Sequence, residues 1–378
     1  MKIGIITQPL NTNYGGLLQN YALQQVLNRL GHDAYTINHN IFSTYTRRWD
    51  IMLLWRIKQF IKKVLGREYY PSYKEFYTTK NICLEFVRKN IQTTPIFKNE
   101  KELQNIIKTH QFKAYVVGSD QVWRPCYSSN IYNDFLNFCK EETSIKRIAY
   151  AASFGVKEWE FSEEQTEKCA ILAKLFNAIS VREDSSINLC KEFLGVDATH
   201  VLDPTLLLEK EDYIKLVEKA NEPTSNGKLF CYILDDNEKI KNSIQYIEQK
   251  LSVESFQVKA KICKGTISSK DNINDFIVPS PTKWLRAFMD TEMVFTDSFH
   301  GCVFSIIFNK PFWIIGNKER GNARFDSLLK LFELENRLVD VNELKEINLT
   351  TPINWNRVNS IKKEWQNKSI KFLEENLQ

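Results

Sequence analysis

The sequence predicts an α/β protein of two domains, each built on a parallel β-sheet, with a cleft between them. Short apolar runs alternate with helical patterns along the chain, which is typical of repeated β-α-β units. The proline in Asp203-Pro204-Thr205 interrupts this alternation, which then resumes. A chain of 378 residues also exceeds what one ordinary core accommodates. We therefore predict domains at residues 1–207 and 208–378.

The first β-α-β unit opens the chain. Residues 3–6 form a short apolar run, and residues 34–37 form a second one. Between them, apolar residues recur on one helical face from Leu18 to Leu30, and Gly31 is typical of a helix end. Two parallel strands joined by a helix are the unit from which Rossmann-like sheets are built.

A segment of different character follows at residues 47–65. It contains Trp49 and Trp55, and it places apolar residues on one helical face with lysines and arginines on the others. This pattern predicts a basic amphipathic helix inserted into the first domain. The helix either packs on its own domain or lies on an anionic membrane surface.

The remaining apolar runs complete two sheets. In the first domain we predict strands at 114–117, 147–151, 178–181 and 200–202, and helices at 163–177 and 185–194. In the second domain we predict strands at 229–234, 255–258, 292–296 and 312–315, helices at 238–251, 283–289 and 301–308, and a charged helical tail at 358–377. Two Rossmann-like lobes that face a cleft form an architecture like that of the GT-B glycosyltransferases.

Composition narrows the range of functions. The chain has 51 Lys and Arg residues against 46 Asp and Glu residues, an excess too small to predict a nucleic-acid partner. Its eight cysteines include no C-x-x-C pair, so we expect no metal site. The first β-α turn lacks a G-x-G-x-x-G motif, so we expect no dinucleotide cofactor. No apolar stretch is long enough for a signal peptide or a membrane span, so we expect a cytoplasmic protein.

The candidate site lies at the strand ends, because open parallel sheets bind ligands beyond the carboxyl ends of their strands. His300 falls where the strand 292–296 gives way to a helix, so its ring is a candidate general acid or base beside free amides. The alternative is a structural hydrogen bond. Arg182 follows the strand 178–181 and either grips a carboxylate or phosphate or pairs with Glu183 or Asp184.

Other strand ends carry small polar and aromatic residues typical of sugar sites. Glycines allow a close approach of the backbone, and a tryptophan can stack on a sugar ring. The alternatives are tight turns and a helix cap, with the tryptophan in the core. The predicted acceptor contacts are Asn13, Tyr14, Gly15, Gly16, Gly118, Ser119, Asp120, Trp123 and Ser153.

Together these stretches resemble the polysaccharide pyruvyl transferase family. The resemblance rests on residues 13–23, 117–123, 180–184, 202–206 and 296–301, which keep the family's order. It implies a GT-B-like fold and the transfer of pyruvate from phosphoenolpyruvate, as co-substrate, to two hydroxyls of one sugar. It also implies that the acceptor is a polysaccharide precursor, either lipid-linked or nucleotide-linked.

The same resemblance implies roles for two residues and exposes one departure. His300 matches the family's catalytic histidine, and Arg182 matches an arginine proposed to hold phosphoenolpyruvate. Family members often carry arginine two residues before the histidine, where this chain has Ser298. Burying an anionic donor without cations is costly. We therefore expect Arg320 or Arg324, in a loop at residues 318–324 after the strand 312–315, to replace the missing charge. The predicted donor-binding residues are Ser298, Gly301, Arg320 and Arg324.

Two other functions are compatible with the sequence. A GT-B glycosyltransferase would use a nucleotide sugar in place of phosphoenolpyruvate. A catalytically silent family member would bind a glycan or a partner in an envelope-assembly complex, and the arginine missing at Ser298 agrees with that alternative. Turnover of phosphoenolpyruvate with candidate acceptors separates the three functions.

Overall fold

The computed structural model describes residues 1–39, 49–235, 237–261, 266–268, 270–316 and 322–378. For residues 49–54 and Tyr73 it describes the backbone alone. The strands, numbered in chain order, are β1 Lys2–Ile6, β2 Asp33–Thr36, β3 Ala114–Val117, β4 Lys146–Ala152, β5 Ala178–Val181, β6 Thr199–His200, β7 Leu229–Tyr232, β8 Ser255–Phe256, β9 Met293–Thr296, β10 Phe312–Ile315 and β11 Leu338–Val339.

Helices connect these strands. They are α1 Tyr14–Arg29, α2 Trp49–Val64, α3 Tyr73–Asn90, α4 Glu100–His110, α5 Ile131–Asp134, α6 Glu163–Ala173, α7 Ser185–Leu189, α8 Lys210–Lys219, α9 Glu238–Leu251, α10 Pro281–Asp290, α11 Phe299–Ile307, α12 Ala323–Phe332 and α13 Trp355–Leu377. A π-helical turn, Cys190–Leu194, continues α7 to the end of the predicted helix 185–194.

The strands form two parallel sheets, as the sequence predicts. The first sheet has the order β2-β1-β3-β4-β5-β6, and the second has the order β11-β10-β9-β7-β8. Every paired strand within them is parallel. The carboxyl ends of neighbouring strands therefore meet at one edge of each sheet, where the loops that follow them converge.

Helix α1 joins the two domains through apolar packing. Leu17, Leu18 and Leu23 are buried in a core that continues into the second domain at Trp284. The Tyr14 ring at the start of α1 stacks on Trp284 of α10, with ring centres 5.5 Å apart. The two domains therefore share one hydrophobic core beside the cleft.

The chain changes sheets between β6 and β7, and the predicted boundary at residue 207 falls in this interval. The helical tail α13, which the prediction assigns to the second domain, also packs on the first domain. Ser369 Oγ accepts a hydrogen bond from Leu202 N at 3.0 Å, and Gln366 Nε2 donates to Leu206 O at 2.7 Å. The apolar face of α13, including the fully buried Leu373, belongs to the core that the two domains share.

The inserted segment contains α2 and α3, and its predicted residues 47 and 48 lie outside the described residues. Helix α3 begins with a capping box between Ser72 and Glu75. An isolated bridge ties the segment to the second domain, since Tyr69 N donates to Ile267 O at 3.0 Å and Ile267 N donates to Tyr69 O at 2.9 Å. The insertion thus spans the two domains on one side of the cleft.

Candidate active site

Side chains that follow four strands converge on Arg182, directly after β5. Its guanidinium donates from Nη1 to Asp203 Oδ2 at 3.0 Å, from Nε to Glu183 Oε1 at 3.0 Å and from Nη2 to Ser153 Oγ at 3.1 Å. Asp120 Oδ1 lies 3.7 Å from Nη2. The Arg182 side chain is 2% exposed, so these contacts are made away from solvent.

A second hydroxyl completes this group of buried polar residues. Ser119 Oγ donates to Asp203 Oδ2 at 3.2 Å. We call the group the Arg182 cluster, and it comprises Ser119, Asp120, Ser153, Arg182, Glu183 and Asp203. The cluster has three carboxylates and one guanidinium, so its carboxylates outnumber its cation.

Neighbouring charges and hydrogen bonds keep Asp203 and Arg182 ionised although both side chains are buried. Burial alone would raise the pKa of Asp203, but His300, Arg182 and Thr205 hold that pKa below its ordinary value. Burial opposes the charged form of Arg182 too, and the three carboxylates of the cluster raise its pKa. Both groups therefore remain ionised at neutral pH.

The second domain contributes His300 from the first turn of α11. Ser298 is the N-cap of this helix, and its Oγ accepts from Gly301 N at 3.5 Å. His300 Nε2 lies 3.7 Å from Asp203 Oδ2, which is an ion-pair distance but too long for a hydrogen bond. Within the described ranges, Nε2 is buried without a hydrogen-bond partner. The imidazole thus faces the Arg182 cluster across the junction of the domains.

Gly15 brings the first domain against His300. Asn13 caps α1, and its Oδ1 accepts from Gly16 N at 3.2 Å. A Cβ atom on Gly15 would lie 2.0 Å from His300 Nδ1, far inside van der Waals contact. The missing side chain at this position therefore allows the N-terminus of α1 to meet the N-terminus of α11.

Arg324 is the second residue of α12, so it begins a helix and does not lie in a loop. Its guanidinium carbon is 5.9 Å from the centre of the Phe299 ring, and the Arg182 guanidinium carbon is 4.4 Å from that same centre. Arg324 Nε is buried and has no hydrogen-bond partner among the residues that the structure describes. Burial and then the charge of Arg182 lower the pKa of Arg324, yet arginine stays charged in proteins.

The structure corrects the interpretation of Trp123 as a sugar-stacking surface. Its indole is fully buried and stacks on Phe135, with ring centres 4.6 Å apart. Nε1 donates to Asp134 O at 3.1 Å, so the polar edge is also satisfied inside the protein. Trp123 is a core residue of the first domain, which was the alternative for this turn.

Several other predicted site residues have structural partners. Gly118 lets Leu23 approach, because a Cβ atom there would lie 2.6 Å from Leu23 Cδ2. Ser119, Asp120 and Ser153 are buried in the Arg182 cluster, and Tyr14 is buried against Trp284. Asn13 is exposed and Gly16 is partly exposed at the start of α1. Contact of these residues with a sugar stays a prediction.

The predicted donor-binding residues do not lie together in the described part of the structure. Ser298 and Gly301 bond to each other in the cap of α11, and a Cβ atom on Gly301 would lie 2.3 Å from Thr296 Oγ1. Gly301 therefore permits close packing of α11 on the end of β9. Arg324 lies beside the cluster, whereas Arg320 lies outside the described residues.

A polar cavity of about 160 Å³, which the sequence analysis did not predict, lies beyond the ends of β1 and β3. Asp134 lies in its wall, and Ser128 Oγ donates to Asp134 Oδ2. Burial raises the pKa of Asp134 to about 7, and the bond from Ser128 opposes this shift. The lining residues are Thr7, Gln8, Pro9, His39, Tyr127, Ser128, Ser129 and Asp134.

Comparison with known proteins identifies the family. The family model described as Polysaccharide pyruvyl transferase matches residues 13–319. The chain belongs to the polysaccharide pyruvyl transferase family. This membership supports a transferase that acts in polysaccharide biosynthesis. A search of curated proteins found no significant match.

Solved structures share the fold at low sequence identity. UDP-GlcNAc 2-epimerase from Methanocaldococcus jannaschii is similar over 99% of this chain and 99% of that chain, with a TM-score of 0.55 and 13% identity. UDP-GlcNAc 2-epimerase from Neisseria meningitidis is similar over 100% and 99%, with a TM-score of 0.50 and 11% identity. TcCGT1 in complex with UDP is similar over 99% and 98%, with a TM-score of 0.50 and 9% identity. At such identities the likeness shows the fold alone, and it confirms the GT-B-like prediction.

The described residues contain neither a cluster suited to a metal ion nor a membrane-spanning helix. No group of three or more His, Cys, Asp or Glu side chains in the described ranges is arranged to hold a metal ion. No helix in the same ranges combines the length and the apolar character needed to cross a bilayer.

The Arg182 cluster yields a stability prediction. We expect Arg182→Met to lower the free energy of unfolding by about 3–5 kcal/mol, because it leaves three buried carboxylates without their cation. The control is Arg29→Met, which breaks the exposed pair between Arg29 and Asp212 and should cost at most about 1 kcal/mol. Urea unfolding followed by circular dichroism measures both. Equal losses in the two variants would show that the cluster is not a stabilising centre.

Proposed function

We propose that this chain transfers pyruvate from phosphoenolpyruvate to two hydroxyls of one sugar and forms a cyclic ketal with release of phosphate. The supporting observation is a pair of buried nitrogens, His300 Nε2 and Arg324 Nε, that flank Phe299 and have no hydrogen-bond partner in the described part of the chain. The ring centre of Phe299 is 5.2 Å from that of His300 and 5.9 Å from the Arg324 guanidinium carbon. A proton carrier beside a cation suits an anionic enol phosphate.

The donor belongs on the Arg324 side of the site. The nitrogens of Arg182 already bond to the cluster, and the excess of carboxylates there would repel an anion. Arg324 therefore neutralises the donor together with the first amides of α11, which point out of the N-terminus of the helix. Arg182 acts through Asp203, the carboxylate that faces His300, and is a positioning residue.

The chemistry needs proton transfer and stabilisation of charge. A proton is delivered to the methylene carbon of phosphoenolpyruvate, which becomes a methyl group and leaves C2 electrophilic. One sugar hydroxyl adds to C2, the bond from C2 to the phosphate oxygen breaks, and the second hydroxyl closes the ketal on C2. The two hydroxyls lose two protons, of which one replaces the proton given to carbon and one leaves with phosphate. His300 Nε2 carries these protons, and Asp203 stabilises the imidazolium.

The acceptor sugar lies in the polar cavity beyond β1 and β3. Gln8 in its wall donates from Nε2 to Gln121 O at 3.0 Å, and Gln121 adjoins Asp120 of the Arg182 cluster. Hydroxyl, amide, imidazole and carboxyl groups in one cavity suit the hydroxyls of a sugar. The cavity thus borders the loop that carries Asp120 of the Arg182 cluster.

The direct test is phosphate release from phosphoenolpyruvate in the presence of nucleotide-linked and lipid-linked sugars. Release that depends on the acceptor, with a ketal found in the product, supports the proposal. Turnover of a nucleotide sugar without phosphoenolpyruvate would show a glycosyltransferase instead. Glycan binding without turnover of either donor would show the silent family member.

His300→Ala should lower the rate of ketal formation by about a hundredfold to ten-thousandfold, because it removes the proton carrier. Single-turnover kinetics with saturating donor and acceptor measure this rate. His32→Ala, on the surface near the N-terminus, is the matched control and should keep the parent rate. A folded His300→Ala enzyme that turns over at nearly the parent rate would exclude His300 from the chemistry.

Arg324→Gln should raise the dissociation constant for phosphoenolpyruvate by at least about tenfold, or about 1.4 kcal/mol, because a neutral amide replaces the cation. Calorimetric titration of the donor measures the change. Arg357→Gln removes an arginine that pairs with Glu333 on the surface and should leave donor affinity as in the parent. Overlapping titrations for all three proteins would place the donor elsewhere.

Asp134→Asn should raise the KM of the acceptor by about tenfold and leave the KM of the donor unchanged, because it removes a charged hydrogen-bond acceptor. Since the pKa of Asp134 is raised to about 7, the carboxylate that accepts from sugar hydroxyls forms as pH rises through 7. Acceptor affinity of the parent should rise over that window and be flat in Asp134→Asn. Burial lowers the pKa of the neighbouring His39, which therefore stays neutral there.

The control for this variant is Asp33→Asn, at the exposed start of β2. It should keep the KM values and the pH profile of the parent. If Asp134→Asn kept them as well, the acceptor would bind outside this cavity.

A further inference from the structure

Helix α2 displays an apolar stripe to solvent. The exposed fractions are 48% for Ile57, 67% for Phe60, 50% for Ile61 and 69% for Val64, and Leu65 just beyond the helix is 61% exposed. The spacing of three, four, seven and eight residues places these side chains on one face. Isolated exposed apolar residues are ordinary, but a contiguous stripe of large ones marks a surface that binds something.

Cations border this stripe. Residues 55–67 include five basic side chains and no acidic one. Lys63 turns towards α3, where its Nζ lies 2.6 Å from Glu75 Oε1. The stripe together with its border forms the α2 surface, made of Arg56, Ile57, Lys58, Phe60, Ile61, Lys62, Val64, Leu65 and Arg67.

The opposite side of α2 is fixed to the protein, which sets the direction of the stripe. Gln59 is buried, and its Oε1 accepts from Tyr70 N at 3.0 Å. The Trp55 ring packs near Tyr70, with ring centres 6.0 Å apart. With these residues facing inward, the apolar stripe faces away from the molecule.

We propose that the α2 surface docks the protein on an anionic lipid bilayer. The apolar stripe enters the boundary between headgroups and acyl chains, and the bordering cations meet the anionic headgroups. A second copy of the chain is a poor occupant, because a symmetric contact of this surface with itself would bring its cations together. An amphipathic helix whose polar border is wholly basic is complementary to an anionic membrane.

Docking through α2 has a consequence for the cleft. The insertion bonds to the second domain through Tyr69 and Ile267, and Pro71 and Phe76 line a cavity of about 420 Å³ between the domains. Tyr14, next to the glycine that abuts His300, lies in the wall of this cavity. A bilayer bound to α2 therefore holds the cleft close to its surface, where lipid-linked sugars are found.

The test is sedimentation of the whole protein with vesicles, in the absence of any substrate. Phosphatidylcholine vesicles that contain phosphatidylglycerol should bind the parent, and vesicles of phosphatidylcholine alone should bind it at least about tenfold more weakly. Raised salt should weaken the binding, because it screens the headgroup charge. Because no turnover is measured, this result is independent of the proposed transfer reaction.

The double variant Phe60→Ser/Val64→Ser should lower the partition coefficient on anionic vesicles by at least about tenfold. The matched control is Ile171→Ser/Leu175→Ser, which removes two apolar side chains that are 66% and 39% exposed on another part of the surface. It should bind as the parent does, and thermal unfolding should show that both variants are folded.

Three results would overturn the proposal. The first is failure of the parent protein to bind anionic vesicles. The second is equal binding of anionic vesicles by the two double variants. The third is a dimer of the parent that Phe60→Ser/Val64→Ser dissociates, which would make the α2 surface an interface between copies of the chain.

Discussion

The candidate site depends on one buried cation. Arg182 ties together the loops after β3, β4, β5 and β6 through Asp120, Ser153, Glu183 and Asp203. A guanidinium suits this task, because it presents donors in a fixed plane and remains charged when buried. Charges removed from water are tolerated only with partners in good geometry, so each loop is constrained by its hydrogen bond or ion pair with Arg182. One residue thus sets the shape of the first domain's contribution to the cleft.

The second domain places His300 and Arg324 beside the Arg182 cluster of the first domain. Asp203 is shared between the guanidinium of Arg182 and the imidazole of His300, so the position of the ring depends on the cluster. Phe299 lies beside His300, and the guanidinium groups of Arg182 and Arg324 both lie near the Phe299 ring. The first domain therefore contributes three buried carboxylates to this junction, and the second domain contributes the imidazole of His300 and the guanidinium of Arg324.

Much of this could be predicted from the sequence, because local patterns govern strands and helices. The apolar run at 178–181 is β5, and the periodic segment at 238–251 is α9. Strand β11 has only two residues and leaves no pattern to detect. The return of α13 to the first domain follows from long-range packing, which periodicity does not report.

The place of the site was easier to predict than the direction of its side chains. The loops that follow neighbouring parallel strands converge at one edge of the sheet, so the place of the site could be predicted. Arg182 also pairs with its neighbour Glu183, which was one of the two predicted alternatives. Its pairing with Asp203, far along the chain, arises from the sheet order and not from a local pattern. Whether Trp123 faces solvent or the core depends on the rings packed around it. Asp134 follows no strand directly, so nothing in its sequence context marked it.

Gly15 also limits how far the molecule can move. With no side chain there, the backbone of α1 already touches the His300 ring, so the two lobes cannot swing closer together along this line. The closeness of this contact depends on the absence of a Cβ atom at Gly15. We therefore expect any relative motion of the lobes along this line to move them apart.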